Sequence, residues 1–465
     1  MTRHLPLSIV LLCGGALLMA SPAAPEPTPQ DQRFVLEMIG KPAKPPTLAV
    51  PAFTVLTADA ETQDAAKTLT EVLRADLAFE REFDIMPTAS FAGVPSAQTI
   101  EDLPYARWTE LGADYVALGQ VQKSADGKLL QVQVRVVSIK ERRQAYGEGR
   151  DGAPRVARRI AHSFSDAIHK TIRGVDGVAM TKVAFASTRD GERMGQTIEE
   201  RAAKEIYIMD YDGANPQRVT TGATLNLAPS WCPDARCLLY TQYQSAPSVY
   251  PDIVVQNIYG QIGMSKPAHG SDRNQNYMGD MSPDGTKIVF ASARGGAGMD
   301  VYVVNRDGSG LRQLTTNPAI DNSPRWSPNG TQIAFVSDRS ESPRIYTMSA
   351  DGLQQTVLPT GCGRADRPTW APSLTGLMIA YTCQTSSAGH DIEVYDFSTR
   401  QTRRLTNGEG TNESPTFAPN GRHVMFFTTR WGKKQIAVID IDGKNIRQLT
   451  TQGNNDYPSW SGFQK

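Results

Sequence analysis

From Asp321 to Ser337 apolar residues fall on alternate positions: Ile333 and Phe335 are separated by small or polar neighbours, as a pleated strand requires. Asn329-Gly330 ahead of them marks a hairpin, because a tight primed turn needs positive φ, which Asn and Gly tolerate. Pro324 and Pro328 keep the run before the turn extended and prevent a helix. One such hairpin cannot bury its own apolar face, so the unit needs copies.

The copies are present. Pro229-Ser230-Trp231, Met281-Ser282-Pro283-Asp284-Gly285, Pro368-Thr369-Trp370, Pro415-Thr416-Phe417 and Pro458-Ser459-Trp460 repeat the pattern. Trp231, Met281, Trp326, Trp370, Phe417 and Trp460 are spaced by 50, 45, 44, 47 and 43 residues. A second half recurs at Ile206–Thr220, Val301–Thr315, Ile345–Pro359, Ile392–Thr406 and Ile436–Thr450, most copies with an Asp-Gly turn and an Arg/Gln-Leu-Thr ending. A period in the forties with four short strands per unit is the signature of a β-propeller blade. The array opens at Val183–Ser187, a second strand without a first, and stops at Trp460-Ser461, a first strand without a second. The fragments complement each other, so residues 182–465 are predicted to form a six-bladed propeller closed by the C-terminal strand, which removes free sheet edges.

The patterning before residue 182 differs. Phe34–Ile39, Thr47–Phe53, Phe83–Met86, Asp114–Val121 and Leu129–Ile139 read as strands, the last with Val132, Val134 and Val136 alternating with Gln and Arg. Ala66, Leu69, Leu73 and Leu77 recur at helical spacing within Asp59–Glu80. Tyr105–Leu111 is predicted as a short helix ending at Gly112, and Val156, Ile160, Phe164 and Ile168 mark a closing helix. Residues 33–174 therefore read as an α/β amino-terminal domain, and 175–181 as a linker.

Arg3 and His4 precede an apolar run, Leu5–Leu18, followed by the small residues Ala20, Ser21, Ala23 and Ala24. That layout predicts a signal peptide over residues 1–23, cleaved near residues 20–24, and export to the periplasm. Residues 24–32, rich in Pro and Gln, read as a flexible tail. No later stretch is apolar enough to span a bilayer, so no integral membrane segment is expected in the mature chain. Lys+Arg and Asp+Glu both number 48, which provides no net field for nucleic acid. Four cysteines remain beyond Cys13. Cys232 and Cys237 flank the turn after Trp231, and Cys362 and Cys383 flank the turn after Trp370. Residues equidistant from a hairpin turn face each other, which predicts disulfides 232–237 and 362–383; four buried thiols are the alternative.

No catalytic constellation emerges. The six His are scattered, and there is no Gly-x-Ser-x-Gly elbow and no phosphate-binding Gly-x-x-x-x-Gly-Lys. Asp210-Tyr211-Asp212-Gly213 and Asp440-Ile441-Asp442-Gly443 lack the later ligands of a calcium loop and suit tight turns instead. The expectation is a protein with no catalytic residues, no metal and no cofactor. The basic residues Arg155, Arg158, Arg159, Lys170 and Arg173 read as a solvated helix face, with a docking surface as the second possibility. Three residues before the repeated Pro stand Asn226, Asn276 (by register), Asp321, Ala365, Asn412 and Asn455; one later stand Leu227, Tyr277, Asn322, Asp366, Glu413 and Asp456. Innermost strands bring these residues to one mouth of the channel. They either cap backbone groups or present an acidic, polar collar to a partner.

Pro324-Arg325-Trp326-Ser327-Pro328-Asn329-Gly330 and Ile436–Thr450, behind an exported α/β segment, resemble the TolB family of the Tol–Pal system over nearly the whole mature chain. The resemblance implies a periplasmic, non-enzymatic scaffold that supports outer-membrane integrity and envelope constriction at division. Its partners would be the peptidoglycan-associated lipoprotein Pal, TolA and outer-membrane proteins. Pal would meet a collar of Asn226, Asn276, Asp321, Asp366, Asn412, Glu413, Asn455 and Asp456, and TolA the segment Ala24–Met38. Met281 in place of Trp, Ala365 in the polar ring and a turn without Gly at Cys232–Cys237 depart from the family pattern, and residues 188–205 and 243–252 lengthen two blades. The other functional classes are an exported propeller hydrolase of prolyl-oligopeptidase type, which needs a hydrolase domain, and a cell-wall- or carbohydrate-binding propeller.

Overall fold

The computed structural model describes residues 44–193, 203–222, 224–243, 250–259, 263–271, 273–296, 298–372, 377–387 and 389–463. The expected signal peptide over residues 1–23, the tail expected over 24–32, the strand expected at Phe34–Ile39 and the segment Ala24–Met38 lie outside the described residues.

The amino-terminal α/β region runs β1 (Thr47–Ala49), β2 (Thr54–Val55), α1 (Ala60–Phe79), β3 (Asp84–Ile85), α2 (Tyr105–Glu110), β4 (Tyr115–Lys123), β5 (Leu130–Ser138), β6 (Arg143–Gly152) and α3 (Ala157–Ile168). Its sheet has the order β3-β1-β4-β5-β6, with β2 also beside β4. Asp59 caps α1 by accepting the Thr62 N–H at 3.1 Å. The helical stripe Ala66, Leu69, Leu73 and Leu77 is buried in one cluster with Val132, Val134 and Val136 of β5 and Phe164 of α3.

Two local expectations change. The strand predicted over Thr47–Phe53 is split into β1 and β2, because Pro51 has no N–H for a ladder and the chain leaves β4 around it. The strand β6, with Gly147, Gly149 and Gly152, carries no alternating apolar signal. It forms by backbone pairing with β5, and only Tyr146 in it is buried.

Beyond residue 181 the described residues form six four-stranded antiparallel sheets. Five run in chain order, with innermost strands Asn226–Trp231, Asn276–Met281, Asp321–Trp326, Ala365–Trp370 and Asn412–Phe417; they are the first to fifth blades. The sixth is composite: the innermost strand Asn455–Trp460 pairs with β7 (Lys182–Ser187), followed by β8 (Glu205–Asp210) and β9 (Gln217–Arg218). Trp460 stands opposite Val183 and Asn455 opposite Ser187. The ring is thus closed by the two ends of the repeat array, as their complementary fragments predict.

Each innermost strand carries the same irregularity. Ala228, Met278, Ser323, Arg367, Ser414 and Tyr457 all have φ between 49° and 57°, and the ladder shifts register around each of them. A left-handed residue in a strand is a bulge that bends the strand and re-aims its side chains. Beyond the bulge, Trp231, Met281, Trp326, Trp370, Phe417 and Trp460 are each 5–8% exposed. The Trp231 indole donates to the Ser459 carbonyl and the Trp370 indole to the Arg325 carbonyl, so blades are joined by polar contacts as well as apolar packing.

Blades differ in how their inner strands are held. Four carry Ser/Thr-x-Arg at the end of the second strand: Ser187/Arg189, Ser292/Arg294, Ser337/Arg339 and Thr428/Arg430. Arg189, Arg294 and Arg339 each lie over two aromatic rings of their own blade. The first and fourth blades have Gln242-Tyr243-Gln244 and Cys383-Gln384-Thr385 there, and these two blades contain the disulfides Cys232–Cys237 and Cys362–Cys383, with Cα atoms 5.2 and 5.9 Å apart.

The α/β region meets the propeller through buried polar groups. Asp76 of α1 accepts from His162 Nδ1 and from the Tyr211 hydroxyl, both at 2.7 Å. Glu80 accepts from Asn420 and from the Val178 N–H, with His423 Nε2 at 3.3 Å. Arg447 lies 4.0 Å from the Phe79 ring centre, and Trp460 donates to the Thr181 hydroxyl at 2.8 Å. Val178, Ala179 and Thr181, in the segment predicted as a linker, are therefore packed.

Candidate functional site at the propeller mouth

The eight residues expected to form a collar do not share one environment. Asn226, Asn276, Asp321, Asn412 and Asn455 have no exposed surface. Four of them pin neighbouring blades together, which is the capping alternative. Asn226 donates to Glu205 of the sixth blade at 2.9 Å, and Asn276 to Asp252 of the first at 2.9 Å. Asn412 donates to Asp391 of the fourth at 3.1 Å, and Asn455 to Gln435 of the fifth at 3.0 Å. Their side-chain oxygens are occupied too: Asn276 accepts from Ser292 and Arg294, and Asn455 from Ser187. Asp321 cannot donate; it accepts from Arg339 at 2.9 Å and Asn317 at 2.7 Å instead. These five side chains face into the blades and offer nothing to a partner. An amide that both donates and accepts is the residue type such a pin needs.

At Ala365 the pin is absent. Ala365 stands opposite Cys383, where Asn276, Asp321, Asn412 and Asn455 stand opposite Ser or Thr. The covalent bond to Cys362 supplies what the hydrogen bond supplies elsewhere.

The next positions differ. Asp366 and Glu413 keep 49% and 31% of their side chains exposed. Asp366 accepts from the Ser323 hydroxyl at 3.2 Å, and Glu413 lies 3.8 Å from His390. Asp456, by contrast, is 2% exposed and is ion-paired with Lys204 and, at 3.8 Å, with Lys434. Of the predicted collar, only Asp366 and Glu413 present carboxylates.

Behind them the channel is stoppered. The six bulge residues line a cavity of only 30 Å³. Arg367, from the fourth blade, reaches across the axis: its guanidinium stands 4.7 Å from the Tyr457 ring of the sixth blade and 3.0 Å from Met278 Sδ of the second. Burial works against this charge, but Asp366, Tyr457, Glu413 and Asp456 outweigh it and raise its pKa above the ordinary value. Ala228, on the opposite blade, leaves room for the long side chain. Sequence reasoning missed this ring; its signal is the residue preceding the repeated Pro, or Gly279 in the second blade, a position whose identity varies because only its backbone is constrained.

At the far end, Trp231, Trp326, Trp370, Phe417 and Trp460 with the repeated prolines line a shallow cavity of 310 Å³. Two buried histidines, His162 beside Tyr211 and His423 beside Glu80, serve the α/β–propeller contact. Burial alone would raise the Glu80 carboxyl, but His423, His169 and Arg422 hold it below its ordinary value. His423 is raised, because Asp440 and Glu80 outweigh the cost of its burial, and Asp440 falls to about 2. No search of chain-local spacing could have found these groups.

Comparison with known proteins agrees with this architecture. Residues 169–464 match the family model described as the TolB beta propeller domain, and residues 34–145 match the TolB amino-terminal domain. The chain is 28% identical over 401 residues to the Tol-Pal system protein TolB of Bordetella pertussis, covering 85% of each chain. The Bordetella bronchiseptica protein of the same name is also 28% identical, covering 85% of this chain and 84% of the relative. Among solved structures, TolB from Acinetobacter baumannii superposes with a TM-score of 0.72 at 21% identity, covering 91% of this chain and 98% of that one; this likeness concerns the fold.

Proposed function

The chain belongs to the TolB family, and we propose that it is a non-enzymatic periplasmic scaffold of a Tol–Pal cell-envelope system. In this reading the propeller mouth binds the lipoprotein Pal, and the amino-terminal segment Ala24–Met38 engages TolA. The complex supports outer-membrane integrity and constriction at division. The curated relatives carry the Tol-Pal name, which supports the system and the compartment.

The observation that carries the Pal site is the pairing of two half-exposed carboxylates, Asp366 and Glu413, with an axis closed by Arg367. A stoppered channel conducts nothing, but its mouth is a shallow polar dish suited to a protein surface. If occupancy of the mouth and release of the amino-terminal segment are coupled, the coupling acts in both directions.

The test is recovery of Pal from envelope extract by the purified protein. Asp366→Asn with Glu413→Gln should lose the lipoprotein while far-UV dichroism stays that of the folded protein; undiminished recovery would remove the mouth from consideration. Asp321, being fully buried and paired, is unsuitable for such a test.

A further inference from the structure

We infer that the cleft between α3 and the sixth and first blades docks an extended acidic peptide segment of a partner protein. The cleft encloses 1090 Å³, above the range of about 300–1,000 Å³ usual for small-molecule sites. One wall is the start of α3 with Arg155 just before it. The others come from β8, β9 and the turns of the first blade around Arg236 and Tyr259.

The basic residues before and along α3 divide by what they touch. Arg158 is ion-paired with Asp210 and Asp212, Arg173 with Glu82 at 3.1 Å, and Lys170 with Asp176 at 2.9 Å. Two further cations of the cleft are also held: Lys182 by Asp210, and Arg218 by Glu205 and Glu192. Arg155, Arg159 and, from the first blade, Arg236 are exposed, and their guanidinium groups have no acceptor among the described residues. Apart from Asp210 the one carboxylate in the lining is Asp234, which accepts the Arg236 backbone N–H at 2.9 Å. Three unpaired guanidinium groups thus give this cleft a local positive field, in a chain whose charges balance overall.

Geometry selects a peptide as the anion. Arg155 and Arg159 stand one helical turn apart, about 6 Å along the axis. Carboxylates on alternate residues of an extended chain are about 6.8 Å apart, and guanidinium groups take carboxylates in paired hydrogen bonds. β9 is the outermost strand of its sheet, so its far edge has backbone groups to offer an extended chain. The exposed amides of Gln217 and Asn257 line the same cleft. A recess between two walls suits a chain better than the flat surface of a bilayer. The site shares no residue with the propeller mouth, so each can fail without the other.

The probe is a fluorescein-labelled eight-residue peptide of alternating Glu and Ser, titrated by anisotropy into the full mature chain. Saturable binding is expected, weakening as salt rises, with the peptide carrying Gln for Glu about ten-fold weaker or more. Arg155→Gln with Arg159→Gln should weaken binding about ten-fold and Arg236→Gln about three-fold, with melting temperature unchanged because these side chains have no partner to lose. Arg403→Gln, an exposed arginine in the outermost strand of the fourth blade, should leave binding as it is. Absence of saturable binding, equal affinity for the Gln peptide, undiminished affinity in both cleft variants, or an equal loss with Arg403→Gln would each overturn the assignment. Co-sedimentation with phosphatidylglycerol vesicles in place of peptide binding, lost in the cleft variants, would give the cleft to a membrane surface and overturn it as well.

Discussion

His423 stands between two carboxylates from different parts of the molecule: Glu80 of the α/β region, 3.3 Å from its Nε2, and Asp440 of its own blade, 2.9 Å from its Nδ1. All three are buried. An imidazolium there satisfies both neighbours, whereas a neutral ring satisfies one.

This predicts a pH dependence with a definite sign. The raised His423 contributes stability that is complete below the ordinary 6.5 and is lost as pH rises through its folded value. The lowered Glu80 and Asp440 contribute stability complete above their ordinary 4.5 and 3.8, lost as pH falls. Burial also raises Asp166 to about 7, which adds its own decline with rising pH. The diagnostic is therefore a difference. His423→Gln should cost about 3–5 kcal/mol at pH 6, and this gap should narrow at pH 8 in thermal melts. A gap independent of pH would show that the histidine is neutral.

The substitution of a bond for a hydrogen bond at Ala365 can be reversed. Cys362→Ala with Cys383→Ala opens a loop of 21 residues, with an expected loss of about 3 kcal/mol in urea unfolding. Ala365→Asn with Cys383→Ser and Cys362→Ala restores the amide–hydroxyl pair of the other blades and should regain about 1 kcal/mol. No regain would mean that Ala365 lacks room for the pin.

Closure of the ring is testable at one side chain. Trp460→Ala removes a residue packed among Phe185, Met209 and Phe427 and leaves the Thr181 hydroxyl without its donor. A cost of about 3–5 kcal/mol is expected, with hydrogen exchange accelerated in β7, which pairs only with this strand and β8.

Arg367→Met keeps the stem and removes the cation. A loss of about 1–2 kcal/mol is expected from the contact with Tyr457 and the pairing with Asp366. A crystal structure of the variant should show ordered water on the axis where the guanidinium lay.

Turn chemistry made much of the propeller legible in advance. Asn329-Gly330 and the Asp-Gly corners fix where strands reverse, and the repeated Pro and Trp mark the innermost strand. The mouth was only half legible. Spacing located Asn226 and its equivalents, but not whether their amides face the axis or the neighbouring blade; the bulge at the third strand residue decides that, and a pattern of residue types does not record a φ near 50°. Arg367 was invisible for the same reason. The contacts of Asp76 with Tyr211 and Glu80 with His423 join residues more than 100 positions apart, beyond the reach of any periodicity.

The composite blade also orders events in time. β7 must wait, with one edge unpaired, through the emergence of five other sheets before Asn455–Trp460 arrives to cover it. Contacts of such long sequence separation form late and slowly, and an uncovered edge meanwhile is a template for unwanted pairing with other chains. A nascent molecule therefore remains vulnerable until its final strand is in place, and a chaperone that shields β7 would act at the stage where it is needed most.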